Sequence, residues 1–529
     1  MKVRRRALAL LALAAAAAAV TAVAVAGDNE SGFHTTTPAM LTGVKAGVMV
    51  KPIITVGDTL PGGYMFESIP DGIAFKARGK GRVDLWVNHE TSTVPFPVPP
   101  TVPIAINDFT NAMVSRLALN QHSAGVLSAS YAIPSEANYQ RFCSSFLATA
   151  EHGFDRELLF TNEEATDWVF RTGVANPGPT LVQAPNTPGT EQAGVVVALD
   201  IKSGEYKSIY GMGRHNHENS VAIPGYGHPV VLSGDDTFSA PASQLYLYES
   251  ASSADLWADK GKLWAFQSLD PAINDYGDLA SNGTATPGPS SVNGHFIEVP
   301  EAIAKGDQNA LENWSNANNV FQFIRVEDIA YDRTNPKIVY FADTGEPRAV
   351  RHPTNGRLMR GSSSTRGPWP NGRLFKLQLG GSPTGAATLS VLIDADAGGY
   401  NNVNVIHQPD NVETTAKSLL IQEDPGGHNQ GGTTARIWRY DLQAGGAPEV
   451  VAKVNQAQGP ASTALGAWES SGIIDASSVF GPGAFLVDIQ APTLTVTRAN
   501  GPDFNGDGTP EWIYEREGGQ LLLVTIPGA

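Results

Sequence analysis

Six short stretches decide how this chain is read: Leu85–Glu90 (LWVNHE), Leu158–Glu164 (LLFTNEE), Arg214–Glu218 (RHNHE), Val230–Asp236 (VVLSGDD), Phe323–Asp328 (FIRVED) and Leu419–Asp424 (LLIQED). Runs such as Leu-Leu-Phe or Val-Val-Leu fit buried strands, and acidic pairs at their ends meet if the strands converge on one axis. That is the geometry of a β-propeller's central channel. Carboxylates gathered there repel one another unless cations lie between them, so the pattern predicts a metal centre.

The composition agrees with an all-β, turn-rich protein: 529 residues with 55 Gly, 36 Pro and only 17% charged residues. Strands are expected at 83–87, 158–161, 194–200, 230–233, 244–249, 262–266, 338–342, 372–377, 418–422 and 435–441. Three of the stretches repeat one theme, a strand followed by a hairpin: VVVALDIKSGEYKSIY, GRLFKLQL and ARIWRYDLQAG. A theme of variable length is how propeller blades look in one sequence, and the spacing fits about five to seven of them. Of the irregular segments 91–110, 172–192, 270–320 and 345–370, some are expected to cover the channel mouth, and a short helix is expected over 301–314.

The N-terminus reads as an export signal. Lys2 and Arg4 to Arg6 precede an Ala/Leu/Val run that ends at Ala24-Val25-Ala26, a small-x-small cleavage site. The apolar run is also long enough for a membrane anchor, and the adjacent arginines permit the twin-arginine route. The expected organisation is a signal peptide (1–26), an N-terminal arm (27–45), a propeller domain (46–495) and a C-terminal segment (496–529) that closes the propeller or packs on it. Export places the protein in the periplasm or outside the cell, as a monomer without stable membrane insertion. The net charge of −16 becomes more negative once the basic leader is removed. Such a chain is a poor partner for nucleic acid or anionic membrane and a good one for divalent cations. The one cysteine, Cys143, forms no intrachain disulfide. It is either a buried structural residue or a metal ligand.

Local motifs sharpen the metal reading. Asp503, Asn505 and Asp507, with Gly506, Gly508 and Glu511, follow the donor spacing of a calcium loop, though Tyr514 stands where an EF-hand has its bidentate Glu. In Arg214-His215-Asn216-His217-Glu218, strand alternation sends the imidazoles one way and Arg214 and Glu218 the other, and Glu218 is the favoured ligand. Single acidic pairs are usually caps or surface turns. Glu90, Glu163, Glu164, Asp235, Asp236, Glu327, Asp328, Asp410 with Asn411, and Asp424 recur too regularly for that explanation.

In order along the chain, Asn88-His89-Glu90, Cys143, Asn162-Glu163-Glu164, Gly213-Arg214 with His217-Glu218, Gly234-Asp235-Asp236, Arg325 with Glu327-Asp328-Ile329-Ala330, and Pro409-Asp410-Asn411 resemble the PhoX-type alkaline phosphatases. The resemblance spans roughly residues 80 to 445. It implies a six-bladed propeller whose channel holds ferric and calcium ions and releases phosphate from phosphomonoesters. On that resemblance Cys143, one of Glu163 and Glu164, and Glu218 bind iron. Arg325 holds phosphate, Glu327 binds calcium, and Asp235 or Asp236 with Asp410 and Asp424 completes the cluster. The stretch between Cys143 and the Glu pair departs from the family pattern, and no equivalent of the family's phosphate-binding Lys is found, although Arg141 lies near Cys143. Two other readings keep the acidic channel: a calcium-dependent propeller hydrolase of lactonase or phytase-like kind, and a non-catalytic calcium-binding propeller.

Overall fold

The computed structural model describes residues 31–90, 96–98, 110–171, 184–237, 243–280, 288–425, 432–500, 505–509 and 513–529. Among them the chain is predominantly antiparallel strand, in sheets that form a propeller-like arrangement. The strands nearest the axis are β1 (Pro70–Gly79), β2 (Phe142–Ala148), β3 (His217–Ala222), β4 (Val326–Tyr331), β5 (Pro409–Thr414) and β6 (Glu469–Asp475). Each lies at the edge of its sheet. Each packs on the next in chain order, and β6 returns to β1, so the ring of inner strands closes. Their outward neighbours are Arg82–His89, Leu158–Glu163, Val230–Asp235, Ile338–Asp343, Ser418–Glu423 and Ala484–Asn500.

All ten stretches expected to be strands coincide with one to within a residue or two, and all belong to second or more outward strands. The inner strands escape that reading because their first residues are polar: Asp71-Gly72, Cys143-Ser144-Ser145, Glu218-Asn219-Ser220, Glu327-Asp328, Asp410-Asn411 and Glu469-Ser470-Ser471. Each inner strand also shifts register against its neighbour near this polar head. A bulge re-aims the side chains beside it and ends regular pairing. The polar heads therefore sit where the sheets are least regular.

Apolar clusters fill the space outward from the ring. Phe341 stacks on Phe375 with centroids 5.2 Å apart, and Phe323 meets both edge-on at 5.4 and 5.5 Å. Near the axis the sheets approach too closely for side chains. A Cβ on Gly72 of β1 would stand 2.3 Å from the Ser145 nitrogen of β2, and one on Gly472 of β6 would stand 2.5 Å from the Asp71 oxygen. Glycine at these positions lets neighbouring inner strands touch backbone to backbone.

The domain boundaries differ from those expected. Within the expected arm, Leu41–Gly43 pairs with Glu449–Val454, and just beyond it Met49–Thr55 pairs with Ile513–Thr525. The boundary at 495 falls inside the strand Ala484–Asn500, whose partner Ile513–Thr525 carries the sheet on to Met49–Thr55. Leu41–Gly43, Met49–Thr55 and Ile513–Thr525 are thus woven into the last two sheets, which covers edges that would otherwise offer unpaired backbone groups. The segment 270–320 contains a strand, Ser291–Glu298, and two helices, Glu301–Ala304 and Gln308–Ala317. A short hairpin occupies part of 345–370. The expected leader, most of 91–110, and 172–183 lie outside the described residues. No helix among the described residues is long and apolar enough to cross a membrane.

Gly72→Ala is expected to destabilise the fold by about 1–3 kcal/mol, because the added methyl meets backbone that has nowhere to move. Thermal denaturation followed by circular dichroism should show a lowered Tm. An unchanged Tm would mean that β1 and β2 are not in close register.

Candidate metal centre

The heads of the inner strands and the ends of their neighbours line a cavity of about 360 Å³. Among the described residues its walls carry Asp71, Glu90, Glu164, Glu218, Glu327, Asp410, Asp424, Glu469 and Glu517 with Cys143, against only Arg141 and Arg325. The ligand atoms form four overlapping groups, each within 4.8 Å: Asp71, Glu90 and Cys143; Cys143, Glu164 and Glu218; Glu218, Glu327 and Asp410; Asp410, Asp424 and Glu469. Consecutive groups share Cys143, Glu218 and Asp410, so the donors make one continuous row.

The local backbone explains how the row is assembled. On β1 to β5 the donor is the second residue (Asp71, Cys143, Glu218, Glu327, Asp410), and on β6 it is the first, Glu469. Glu90, Glu164 and Asp424 each follow directly on the end of an outward neighbour. Three of the inner strands are entered through left-handed residues: Ile69 at φ 47°, Arg141 at φ 35° and Gln408 at φ 51°. Such conformations cost about 1–3 kcal/mol each and persist where surrounding structure holds them. Here they stand at the cavity's edge, and the Ile69 and Arg141 side chains line it.

The electrostatics are those of a site short of positive charge. Burial raises the pKa of Glu90, Glu164, Glu218, Glu327, Asp410 and Glu469, and neighbouring carboxylates raise them further. Asp71 is pushed up to about 8 by burial and then by Glu90, and Glu517 to about 8 by the same two causes. Burial, then Asp71 and Glu218, raises the Cys143 thiol, whose Sγ lies 3.3 Å from Asp71 Oδ2. Among the described residues Asp71 Oδ1 is buried with no hydrogen-bond partner. An unpaired buried oxygen among clustered carboxylates and a thiol is the donor set of a cation site, and the residues present fit a bound metal.

Strand alternation sorts the expected ligands, because only one of two adjacent residues can face the cavity. Glu164 does, whereas Glu163 turns into the sheet and accepts from Arg171 Nη1 and Nη2 at 2.5 and 3.0 Å and from the Gln140 amide at 2.8 Å. Glu327 does, whereas Asp328 accepts from the Ile329 and Val412 amides at 2.7 and 2.9 Å and from Asn219. Asp410 does, whereas Asn411 bonds to Ser144 and Ser471. Neither member of the Asp235-Asp236 pair joins the row. Asp235 accepts from the Thr237 amide at 3.0 Å, and Asp236 takes both Nε and Nη2 of Arg325 at 2.6 Å. Arg325 lines the cavity, its Nη2 3.2 Å from Glu327. His217 is held by Ser233 at 2.7 Å and His215 stacks on Tyr246, so neither imidazole enters the groups. In the calcium-loop stretch, Asn505 and Asp507 are exposed and accept from the backbone amides of Asp507 and Thr509 at 2.9 and 2.8 Å. Asp503 and Glu511 lie outside the described residues.

Asp71, Glu469 and Glu517 line the cavity without having been singled out in the sequence. The first two stand at the heads of inner strands, before the apolar residues. A search for acids at the ends of apolar runs passes over them. The signal that finds them is the repeat of one donor followed by small or polar residues and then a short apolar stretch, as in Asp71-Gly72-Ile73 and Glu469-Ser470-Ser471-Gly472-Ile473.

A second cavity, of about 410 Å³, opens further along the inner strands beside Arg333, Glu413, His152 and Tyr331. Its cation is already neutralised, because Arg333 pairs with Glu413 at 2.6 Å. The acidic cavity is the one whose grouped donors could hold a cation. Compared with known proteins, the chain matches no family model, and no curated protein matches it.

The raised carboxyl values fix how the metal-free protein responds to pH. Asp71 and Glu517 hold their protons in the folded chain up to about pH 8, whereas in the unfolded chain they lose them near pH 4. The folded state binds more protons across that window, so stability falls as pH rises from about 4 to about 8. Thermal melts of chelator-treated protein should show Tm dropping over this range, and added calcium should remove most of the drop. A flat profile without metal would contradict the crowded-carboxylate account.

Proposed function

We propose that this chain is an exported, metal-dependent phosphatase that hydrolyses phosphomonoesters at a row of cations in its propeller channel. The observation that carries the reading is the position of Cys143, whose sulfur belongs to two donor groups at once and so could serve ions held by either. Those two groups suit a pair of ferric ions, in line with the resemblance to PhoX-type enzymes. The remaining groups, Glu218/Glu327/Asp410 and Asp410/Asp424/Glu469, offer only oxygen and suit calcium. The same resemblance leads us to count six blades, the nine-stranded sheet being two units joined through their outermost strands Ser291–Glu298 and Ala387–Asp394.

Bound cations would supply Lewis acidity toward the phosphoryl oxygens and lower the pKa of the attacking water. The chain's own part is to collect and orient. The ring of carboxylates repels a phosphate dianion unless it approaches where Arg325 and Arg141 stand. Asp236 holds the Arg325 guanidinium in a two-point fork and so fixes its plane before substrate arrives. Arg141, 3.4 Å from Glu90 and 3.7 Å from Glu164, is the second cation at the cavity and takes the place of the family's phosphate-binding Lys. A calcium-only hydrolase of lactonase or phytase-like kind would use the all-oxygen groups and leave Cys143 without a role.

Elemental analysis of the purified protein, paired with p-nitrophenyl phosphate turnover, tests this reading. Iron and calcium should both be present. Cys143→Ala should lose iron and activity together. Arg325→Ala should keep its metals and lose on the order of 10²–10³ in turnover, with Arg325→Lys intermediate. Calcium without iron, together with full activity of Cys143→Ala, would favour the calcium-only hydrolase.

A further inference from the structure

Directly behind the donor row runs a second layer of polar side chains that touches the metal site at both ends. Ser144 Oγ lies 2.7 Å from Glu218 Oε1. Asn411 Nδ2 donates to Ser144 Oγ at 3.1 Å, and Asn411 Oδ1 accepts from Ser471 Oγ at 3.4 Å. Gln490 Nε2 reaches Ser471 Oγ at 3.3 Å, Asp71 Oδ2 at 2.9 Å and Glu90 Oε1 at 3.0 Å. The chain Gln490–Ser471–Asn411–Ser144–Glu218 thus links the group at one end of the row to the ligand shared by two groups further along.

The donor and acceptor capacities give the chain a direction. An ionised Glu218 only accepts, so the Ser144 hydroxyl must donate to it, leaving the Ser144 lone pairs for the Asn411 amide. The Asn411 carbonyl then takes the Ser471 hydroxyl, and Ser471 takes the Gln490 amide. Along this path each bond is donated in the direction of Glu218, while Gln490 also donates to Asp71 and Glu90. Bonds aligned in this way polarise one another and strengthen together. The backbone at Ser144 is also gripped: Asn88 donates to the Cys143 and Ser144 carbonyls, and Asn162 donates to the Ser144 carbonyl at 2.8 Å.

We propose that Ser144 and Asn411 are positioning residues that orient Glu218 for metal binding and couple it to the Asp71/Glu90 end of the row. The inference rests on the metal-centre reading above and goes beyond it, since the Asn411 side chain reaches Glu218 through Ser144. With Oε1 of Glu218 held by Ser144, the second oxygen is presented to the cavity in one orientation. Partners of this kind behind metal ligands typically change affinity 10–100-fold.

The test is metal retention against a competing chelator, measured for the full-length protein and for Ser144→Ala, Asn411→Ala, the double variant and Ser144→Thr. Each alanine variant is expected to weaken retention about 10–100-fold. The double variant should be no weaker than either alone, because both interrupt one chain. Ser144→Thr keeps the hydroxyl and should restore much of the affinity. Circular dichroism melts identify any variant that fails to fold, and Asn411→Asp, which keeps a carbonyl for Ser471 but removes the donor to Ser144, then serves in place of Asn411→Ala. If the unmodified protein retains metal and the variants hold it as tightly, or if the losses simply add, the positioning role is overturned and the metal reading stands. If the unmodified protein retains no metal, both fall.

Discussion

Mutual repulsion among the channel carboxylates is the constraint on which the rest of the structure depends. At the 4.8 Å limit of the donor groups, two unscreened carboxylates at an effective dielectric constant near 20 repel by about 3.5 kcal/mol. Among the described residues the acidic cavity holds many such pairs and only Arg141 and Arg325 to offset them. A fold of ordinary stability does not sustain that load without protons or cations in the channel. The backbone nevertheless holds the donors together. Glycine at 72 and 472 lets the inner strands touch, left-handed residues turn the chain at the cavity's edge, and the bulge in each inner strand re-aims its polar head.

The same geometry divides the polar residues into two layers with different duties. The first presents oxygen and sulfur to the cavity. The second, on the next residues of the inner strands and on the neighbouring strands, satisfies what the first leaves over: Asn88 and Asn162 grip the Cys143–Ser144 backbone, and Gln490 bridges Asp71 and Glu90. Asp236 does for Arg325 what these residues do for the donors. Alternation along a strand makes this division unavoidable, because a residue that faces the cavity forces its neighbour away from it.

Much of this was visible in the sequence, and the failures have a common physical origin. The apolar outward strands were legible because they are continuous hydrophobic runs, and the acids at their ends led to Glu90, Glu164 and Asp424. Within each acidic pair the sequence offered no way to choose between members, since the choice depends on the pleat. Hence Glu163, Asp328 and Asn411 were expected to bind metal and instead serve as braces. Asp71 and Glu469 were missed because an inner strand in a crowded channel is polar at its head and interrupted by a bulge. It carries little of the periodicity from which strands are read. Closure of the last two sheets by residues 41–55 was out of reach, because a pairing across the whole chain leaves no local trace.

The donor row is proposed to hold metal ions, with Cys143 shared between two of them. Anomalous diffraction from crystals of the native protein, recorded on both sides of the iron absorption edge, tests it most directly. The account predicts two edge-dependent peaks flanking the Cys143 sulfur, one beside Asp71 and Glu90 and one beside Glu164 and Glu218, with further density between Glu327, Asp410, Asp424 and Glu469 that does not change across the edge. A channel filled by ordered water alone, with Cys143 in contact with no ion, would contradict it.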